Sequence, residues 1–289
     1  MKIMCIEGNK QHLDGGAMFG NAPKAMWSKW LACDDQNRIE LACRCLILQW
    51  DNKLALLEAG IGAFFEPKLA ERYGVQEPKR HLLQENLHKL GLSPADFDYI
   101  ILSHLHFDHA GGLLSPYDAE RPEHHDLVFS KATYLVSRDS WQRALNPHVR
   151  DKASFVAPVI KKLRDCDQVQ IIENPQTFHD QDLPVRFMTS DGHTPGHMHT
   201  LIQGSKQQVF FCGDLVPGRH WLHIPITMGY DRFPELLINE KDAILKQAAA
   251  ENWLLVYTHD TDYGLSRCQL HQGRVEAYDL QVGNRWLEI

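Results

Sequence analysis

The segment His104-Leu105-His106-Phe107-Asp108-His109-Ala110-Gly111-Gly112 concentrates three histidines and a carboxylate in one short stretch. Imidazole nitrogen and carboxylate oxygen suit Zn²⁺ and also bind Mn²⁺, Co²⁺ or Fe²⁺. His104 and His106 point the same way only in extended backbone, so we expect a loop that leaves a strand. Asp108 and His109 follow that pair and can serve a second ion. The two glycines are expected to let the backbone turn sharply and approach the ions closely.

Four short apolar runs along the chain are each followed by residues that bind metals. Each run is predicted to be a buried strand that meets a loop at its end, where functional groups of sheet proteins collect. A solvated, histidine-rich loop that binds metal adventitiously is the alternative for the first segment alone, and one site assembled from distant segments explains all four runs. The runs are residues 99–102, 185–188, 209–212 and 253–257, and the residues after them include His104, His193, Asp214 and His259.

Length and composition are those of an ordinary globular protein. The chain has 289 residues, of which 44% are hydrophobic and 23% are charged. No low-complexity tract or Ser/Gly linker divides it, so we expect one domain that spans residues 1–289. Apolar runs alternate with helical patterns, which predicts a mixed α/β fold. Three of these helices are expected near residues 138–146, 155–165 and 235–250.

Charge and cysteine usage exclude several classes of function. The formal net charge is −7, which disfavours binding to a nucleic acid backbone. No apolar run is long enough to span a bilayer, so no membrane association is expected. The seven cysteines form no CxxC pair, and the first residues lack the apolar run of a secretory signal. These features predict a reduced, cytoplasmic protein, and they leave open whether it forms a homodimer.

Four motifs together resemble one known family. HLHFDHAGG at 104–112, DGHTPGH at 191–197, CGD at 212–214 and THD at 258–260 match the order and spacing of the metallo-β-lactamase superfamily. Two further stretches, DGGAMFGNAPKAMW at 14–27 and LEAGIG at 57–62, resemble its hydrolase branch, which includes quorum-quenching lactonases and methyl parathion hydrolase. The resemblance implies an α/β (α+β) fold, a four-layer αββα sandwich with a dinuclear metal site at one edge of its two sheets.

The resemblance also implies a role for each residue of the motifs. Two divalent metal ions are implied, with Zn²⁺ expected and Mn²⁺, Fe²⁺ or Co²⁺ as alternatives. A hydroxide that bridges them would attack the substrate, and Asp108 would pass a proton to the leaving alkoxide, so Asp108 and Asp214 are the catalytic candidates. The implied ligands are His104, His106 and His193 for the first ion, Asp108, His109 and His259 for the second, and Asp214 between both.

The complete ligand set favours hydrolysis of a small-molecule substrate. A lactone or ester is expected, with an activity like that of an N-acyl homoserine lactonase. The alternatives are a phosphodiester or phosphotriester hydrolase and a thioesterase. An iron-dependent dioxygenase and a non-catalytic metal-binding protein are less favoured, because both half-sites are complete and no Glu replaces a metal-binding His.

One departure from the lactonase pattern concerns the substrate. Lactonases of the superfamily often carry a Tyr three residues after the bridging Asp, whereas this chain has Pro217 there. The sequence alone does not choose among the replacements Tyr230, Tyr257, His220, His223 and none. His197 is expected either to orient the ligand loop or to be purely structural, and Glu58 is expected to be structural.

Overall fold

Alternate side chains of the strand Arg44–Trp50 pack into two different hydrophobic cores, and the layered architecture follows from this. Cys45 and Ile47 belong to one core, whereas Leu46 and Leu48 on the opposite face belong to another. Neighbouring side chains of a strand point to opposite faces, so a strand buried throughout needs cover on both sides. The computed structural model, which describes all 289 residues, shows helices covering one face and a second sheet covering the other.

The strands form two large sheets and one small one. In chain order they are β1 (Lys2–Glu7), β2 (Gln11–Asp14), β3 (Arg38–Leu41), β4 (Arg44–Trp50), β5 (Lys53–Leu57), β6 (Tyr99–Ile101), β7 (Thr133–Ser137), β8 (Val169–Ile172), β9 (Val185–Ser190), β10 (His197–Gln203), β11 (Gln208–Phe211), β12 (Leu254–Val256), β13 (Leu265–His271), β14 (Arg274–Gln281) and β15 (Leu287–Glu288). The seven-stranded sheet has the order β15-β1-β4-β5-β6-β7-β8, the six-stranded sheet has the order β14-β13-β12-β11-β10-β9, and β2 pairs with β3. The strands from β5 to β8 run parallel, as do β11 and β12.

The helices include the three that the sequence predicts. They are α1 (Gly15–Phe19), α2 (Lys24–Trp27), α3 (Pro67–Arg72), α4 (Leu82–Lys89), α5 (Phe107–Ala110), α6 (Arg138–Leu145), α7 (Ala157–Arg164) and α8 (Pro234–Ala250). Helices α6, α7 and α8 confirm the helical patterns near 138–146, 155–165 and 235–250. None of the helices combines the length and apolar composition that crossing a lipid bilayer requires.

Three hydrophobic cores separate four layers. Leu57 of the first sheet and Phe211 of the second belong to the middle core, which fills the space between the sheets. Leu87 of α4 packs in a core on the outer face of the seven-stranded sheet, and Leu245 of α8 packs on the outer face of the other sheet. Helix, sheet, sheet and helix therefore stack in that order, which confirms the predicted αββα sandwich.

Backbone hydrogen bonds join the two sheets at the edge where the candidate ligands lie. The Met198 N–H at the start of β10 donates to the Ser103 carbonyl after β6, at 2.8 Å. The Arg44 N–H at the start of β4 donates to the Thr258 carbonyl after β12, at 2.9 Å. The ends of strands from both sheets thus meet at one edge, so loops far apart in sequence converge there.

Candidate metal centre

The first ligand segment has the extended backbone that the histidine spacing predicts. His106 has φ −67° and ψ 155° and directly precedes the one-turn helix α5, which contains Asp108 and His109. The imidazole rings of His104 and His106 have their centroids 4.3 Å apart, and those of His104 and His109 lie 4.1 Å apart. The short helix therefore places Asp108 and His109 beside the preceding pair, as expected for neighbouring sites.

The glycines after this segment serve packing, which corrects the expectation of a sharp turn towards the ions. Gly111 has helical dihedral angles, with φ −62° and ψ −37°. An added Cβ on Gly111 would lie 2.3 Å from the Ile61 carbonyl oxygen, and one on Gly112 would lie 2.0 Å from the Ala59 carbonyl oxygen. Glycine is needed at both positions because residues 59–61 pack directly against this backbone and leave no room for a side chain.

Asp214 occupies the centre of the site. Its Oδ2 lies 3.3 Å from His193 Nε2. Its Oδ1 lies 3.2 Å from His109 Nε2 and 3.1 Å from His259 Nε2. One carboxylate thus presents an oxygen to each of two groups of ligand-type side chains, which is the position that the family resemblance implies for it.

The other six predicted ligands form two groups around Asp214. In each group one ligand atom per residue lies within 4.8 Å of the others. We call His104, His106 and His193 the histidine half, and Asp108, His109 and His259 the carboxylate half. All seven side chains are buried, and the structure brings every predicted ligand to this place.

Hydrogen bonds direct two of these imidazoles towards the centre. The Nδ1–H of His193 donates to Asp231 Oδ1 at 2.8 Å, and that of His259 donates to the Ala42 carbonyl at 2.6 Å. An imidazole that donates through Nδ1 keeps the lone pair of Nε2 free for a metal ion. In both rings Nδ1 is thus engaged away from the centre, and Nε2 is the nitrogen that faces it.

Unpaired buried atoms test whether metal ions fit here. Nε2 of His104 and Nε2 of His106 are both buried without a hydrogen-bond partner. A buried polar atom left unsatisfied costs about 1–3 kcal/mol. Unpaired nitrogens that converge in this way suit a divalent cation, for which imidazole and carboxylate are suitable ligands.

The two halves differ in their preferred protonation. Burial and neighbouring imidazoles lower the pKa of His104 and of His106 well below the usual value, so both rings are neutral. Burial alone would also lower the pKa of His259, but the Asp214 carboxylate, together with Cys43 and Asp108, outweighs it and raises that pKa to about 10. The pKa of His109 is raised well above its usual value against the effect of burial, because Asp214 and Asp108 lie beside it.

The structure adds two supporting side chains that the sequence analysis missed. Gln11 on β2 is fully buried, and its Nε2 donates to Asp108 Oδ2 at 2.7 Å. Asp231 is also fully buried, and its Oδ2 accepts from the Met228 N–H at 2.6 Å while Oδ1 accepts from His193. Neither residue belongs to a motif, and no sequence signal connects them to the ligands, which lie many residues away.

His197 and Glu58 pack directly behind the ligands. The Asp214 N–H donates to His197 Nε2 at 3.3 Å, so this imidazole holds the loop that carries Asp214. Gly213 is required there, because it has φ +50° and an added Cβ would lie 2.5 Å from the same nitrogen. Glu58 accepts from the Ser103 N–H at 3.0 Å, and its Oε2 lies 3.7 Å from His109 Nδ1. Both residues support the ligand loops.

A small pocket opens beside the candidate metal centre. Its volume is about 190 Å³, and it gives access to His106, Asp108, His193, Asp214 and His259. The rest of its wall is mainly apolar, with one arginine and two tyrosines. These residues are Leu13, Met18, Arg72, Tyr73, Phe107, Ala153, Ser154, Met228 and Tyr230.

Of the four replacements considered for the missing lactonase Tyr, only Tyr230 lines this pocket. Tyr257 is fully buried, with its hydroxyl 2.7 Å from Ser266 Oγ. His220 stacks on Trp30 with ring centroids 5.5 Å apart, and His223 is not among the pocket residues. Partial desolvation of the phenol raises the pKa of Tyr230 to about 12, and the Asp108 carboxylate adds to this effect, so the phenol remains a hydrogen-bond donor at neutral pH.

The fold and this set of ligand-type residues define a family. The family model of the metallo-beta-lactamase superfamily matches this sequence over residues 38–259. The chain belongs to the metallo-beta-lactamase superfamily. The resemblance predicted from the four motifs is thereby confirmed. Individual proteins of known fold or function show further similarity.

Two curated relatives illustrate the similarity. An N-acyl homoserine lactonase of a Bacillus species is 24% identical over 180 residues, which cover 58% of this chain and 61% of that protein. The chain thus aligns with somewhat less than two thirds of this relative. A probable metallo-hydrolase of Mycobacterium tuberculosis is 24% identical over 269 residues, which cover 85% of this chain and 82% of that protein.

Solved structures share the fold over nearly the whole chain. A probable metal-dependent hydrolase from Staphylococcus aureus has a TM-score of 0.84 and 25% identity, covering 96% of both chains. AidC, a dizinc quorum-quenching lactonase, has a TM-score of 0.75 and 19% identity, covering 96% of this chain and 93% of its own. These relatives and neighbours are metallo-hydrolases and lactonases, and they support the prediction that this chain is a hydrolase.

Proposed function

We propose that this chain, as one domain, holds two divalent metal ions, with Zn²⁺ expected, and hydrolyses a small-molecule lactone or ester. The observation that carries the proposal is the position of Asp214. Its two carboxylate oxygens face different halves of the site, at 3.3 Å from His193 and 3.1 Å from His259. The proposed ligands are His104, His106 and His193 for one ion, Asp108, His109 and His259 for the other, and Asp214 for both.

Two divalent ions held there would lower the pKa of water towards neutrality and polarise a scissile carbonyl oxygen, which is the chemistry of hydrolysis. The protein supplies the surroundings in which this chemistry works. Its ligands are buried, and the pocket wall beside them is largely apolar. Electrostatic interactions are stronger in such surroundings than in bulk water.

Two side chains of the pocket can act on the substrate. Asp108 lines the pocket, and the Gln11 amide holds its Oδ2 at 2.7 Å, so the carboxylate is oriented to take the proton that the attacking water loses and to pass it to the leaving alkoxide. Tyr230 lines the same pocket, and its protonated phenol can donate to an oxygen of the substrate. We therefore assign proton transfer to Asp108 and substrate orientation to Tyr230.

An N-acyl homoserine lactone is the substrate that we propose first. Met18, Phe107 and Met228 give the pocket an apolar surface that suits an acyl group. The Bacillus relatives described as N-acyl homoserine lactonases support the same class. A polar, charged substrate would leave these apolar side chains without a partner.

A metal count and a substrate panel test the proposal. We expect two divalent ions per folded chain by elemental analysis, and turnover of acyl homoserine lactones above that of aryl esters, aryl phosphates and thioesters. Preferred turnover of a phosphodiester, a phosphotriester or a thioester would reassign the reaction to that class. Oxygen uptake with an iron-loaded chain, or no turnover of any of these substrates, would contradict hydrolysis of small molecules.

A further inference from the structure

A short segment separates the pocket at the candidate metal centre from a much larger groove. We call residues 150–155 the strap segment. Ala153 and Ser154 line the small pocket, whose volume is about 190 Å³. Lys152 and Phe155 line the groove on the other side, whose volume is about 1400 Å³. Neighbouring residues of the strap segment therefore face two different cavities.

Phe155 stands at the boundary between these cavities. Its ring centroid lies 4.9 Å from that of His106, with an angle of 71° between the ring planes. His106 lines the small pocket, whereas Phe155 lines the groove. Phe155 is half-buried and packs against the hydrophobic core on the outer face of the seven-stranded sheet. The phenyl ring thus lies between a proposed metal ligand and the groove.

Contacts from three parts of the chain hold the strap segment in place. The Tyr73 hydroxyl donates to the Ala153 carbonyl at 2.8 Å. Arg143 Nε donates to the buried Asp151 Oδ2 at 2.8 Å. Arg150 Nη2 donates to the Gly229 carbonyl at 2.9 Å, which ties the strap segment to the turn before Tyr230. These contacts hold the residues that directly precede Phe155.

The two cavities differ in the length of chain that they can accept. Ligand pockets for drug-sized molecules usually enclose about 300–1,000 Å³, so the small pocket has room for a short acyl group only. The groove is far larger, and its wall includes apolar side chains along which an alkyl chain can pack. Those apolar residues include Leu127, Leu145, Pro147 and Ile160.

We propose that Phe155 determines the acyl-chain length of the substrate by closing the small pocket against the groove. The inference rests on the proposed function, because it concerns the acyl group of the same lactone or ester. The wild-type protein then prefers short acyl chains. Removing the phenyl ring joins the two cavities and lets a long chain lie in the groove.

The test compares Phe155→Ala with the wild-type protein on N-butanoyl and N-decanoyl homoserine lactone. Each methylene group that becomes buried contributes about 0.8 kcal/mol, which is about fourfold in kcat/KM. We expect the decanoyl-to-butanoyl ratio of kcat/KM to rise at least about tenfold, since several methylenes gain contacts. Phe155→Leu should raise it less, because leucine retains most of the apolar volume.

Ile160→Ala is the matched control, since Ile160 lines the same groove outside the strap segment. It should leave the ratio unchanged, and thermal unfolding should show that both alanine variants are folded. An unchanged ratio in folded Phe155→Ala, or an equal rise in Ile160→Ala, would overturn the inference. If Phe155→Ala does not fold, the ratio in Phe155→Leu decides, and no rise there also overturns it.

A binding measurement separates this inference from the proposed reaction. If the metal-loaded wild-type protein turns over no homoserine lactone, the proposed substrate class is wrong. Calorimetric titration with butanoate and decanoate then tests Phe155 alone, because a carboxylate can ligate the metal ions without reaction. A decanoate preference that is greater in Phe155→Ala than in the wild-type protein supports the inference, and equal preferences refute it.

Discussion

The histidine half and the carboxylate half of the proposed metal centre sit side by side, yet their electrostatics differ. In the histidine half, burial lowers the pKa of His104 and His106 and keeps both rings neutral. In the carboxylate half, Asp214 raises the pKa of His259 to about 10 in spite of burial. A cation in the histidine half meets the neutral rings of His104 and His106, whereas a cation in the carboxylate half must displace a proton from His259.

The halves also draw their support from different parts of the chain. His193 of the histidine half depends on Asp231, which lies shortly before α8. Asp108 of the carboxylate half depends on Gln11 in β2. Asp214 presents one carboxylate oxygen to each half. A substitution can therefore disturb both halves or only one of them. The loss of metal binding and activity should be larger when both halves are disturbed.

Asp214→Ala should have the largest effect, because it removes the carboxylate shared by both halves. We expect both ions to be lost from most chains and kcat/KM to fall by about 1,000-fold or more, equivalent to several kcal/mol of transition-state stabilisation. Elemental analysis and steady-state kinetics would check this. Asp242→Ala, which changes an exposed carboxylate on α8 paired only with Lys246, is the control. Full metal content and activity in Asp214→Ala would refute the shared-ligand assignment.

Asp231→Asn should break the histidine half alone. The substitution weakens the hydrogen bond that orients His193, and losses of this kind lower metal affinity by about 10–100-fold. Competition with a chelator would measure the affinity of each ion, and we expect only one of them to weaken. Asp242→Asn is the matched control. Equal weakening of both ions would show that Asp231 supports the loop in general.

Gln11→Leu should disturb the carboxylate half by a smaller amount. It removes the amide that donates to Asp108 Oδ2, and a hydrogen bond to a charged group contributes about 1.5–3 kcal/mol, so kcat should fall by at least about tenfold. Kinetics on the metal-loaded variant would separate kcat from KM, and thermal unfolding would establish that the buried substitution is tolerated. An unchanged kcat in a folded variant would argue against the orienting role.

Tyr230→Phe should have the smallest effect and should spare both halves. It removes only the pocket hydroxyl, and one neutral hydrogen bond contributes about 0.5–1.5 kcal/mol, so kcat/KM should fall about two- to tenfold. Tyr278→Phe is the control, because Tyr278 is exposed to the same 37% and lies on β14, away from the pocket residues. A fall in metal content would contradict a role confined to the substrate.

Much of the fold and of the ligand set could be predicted because the signals are local. The spacing of His104 and His106 requires extended backbone whatever the rest of the chain does. Short apolar runs precede His193, Asp214 and His259, and the structure confirms them as the strands β9, β11 and β12. The expectation of burial holds for β11 and β12, whereas β9 lies at the sheet edge and is only partly buried. Local patterns therefore predicted the ligand-type residues and a mixed α/β fold, whereas the family resemblance supplied the four-layer arrangement and the assignment of ligands.

The supporting contacts could not be predicted in this way. Gln11 and Asp231 have no special neighbours in sequence, and each gains its partner only when the sheets stack. The glycines after the first ligand segment were assigned a turn, whereas contact with residues 59–61 is the reason for their small size. Such roles depend on which backbone lies opposite, and sequence spacing does not encode that.

The sequence by itself determined the chemical identity of the proposed centre, because a metal ligand is specified by side-chain type and by its place at the end of a strand. Only the tertiary structure decided which side chains support the ligands, which tyrosine reaches the pocket and that Phe155 lies beside His106. Those outcomes depend on distances of a few ångströms between segments far apart in the chain. Packing of the two sheets and their helices sets these distances.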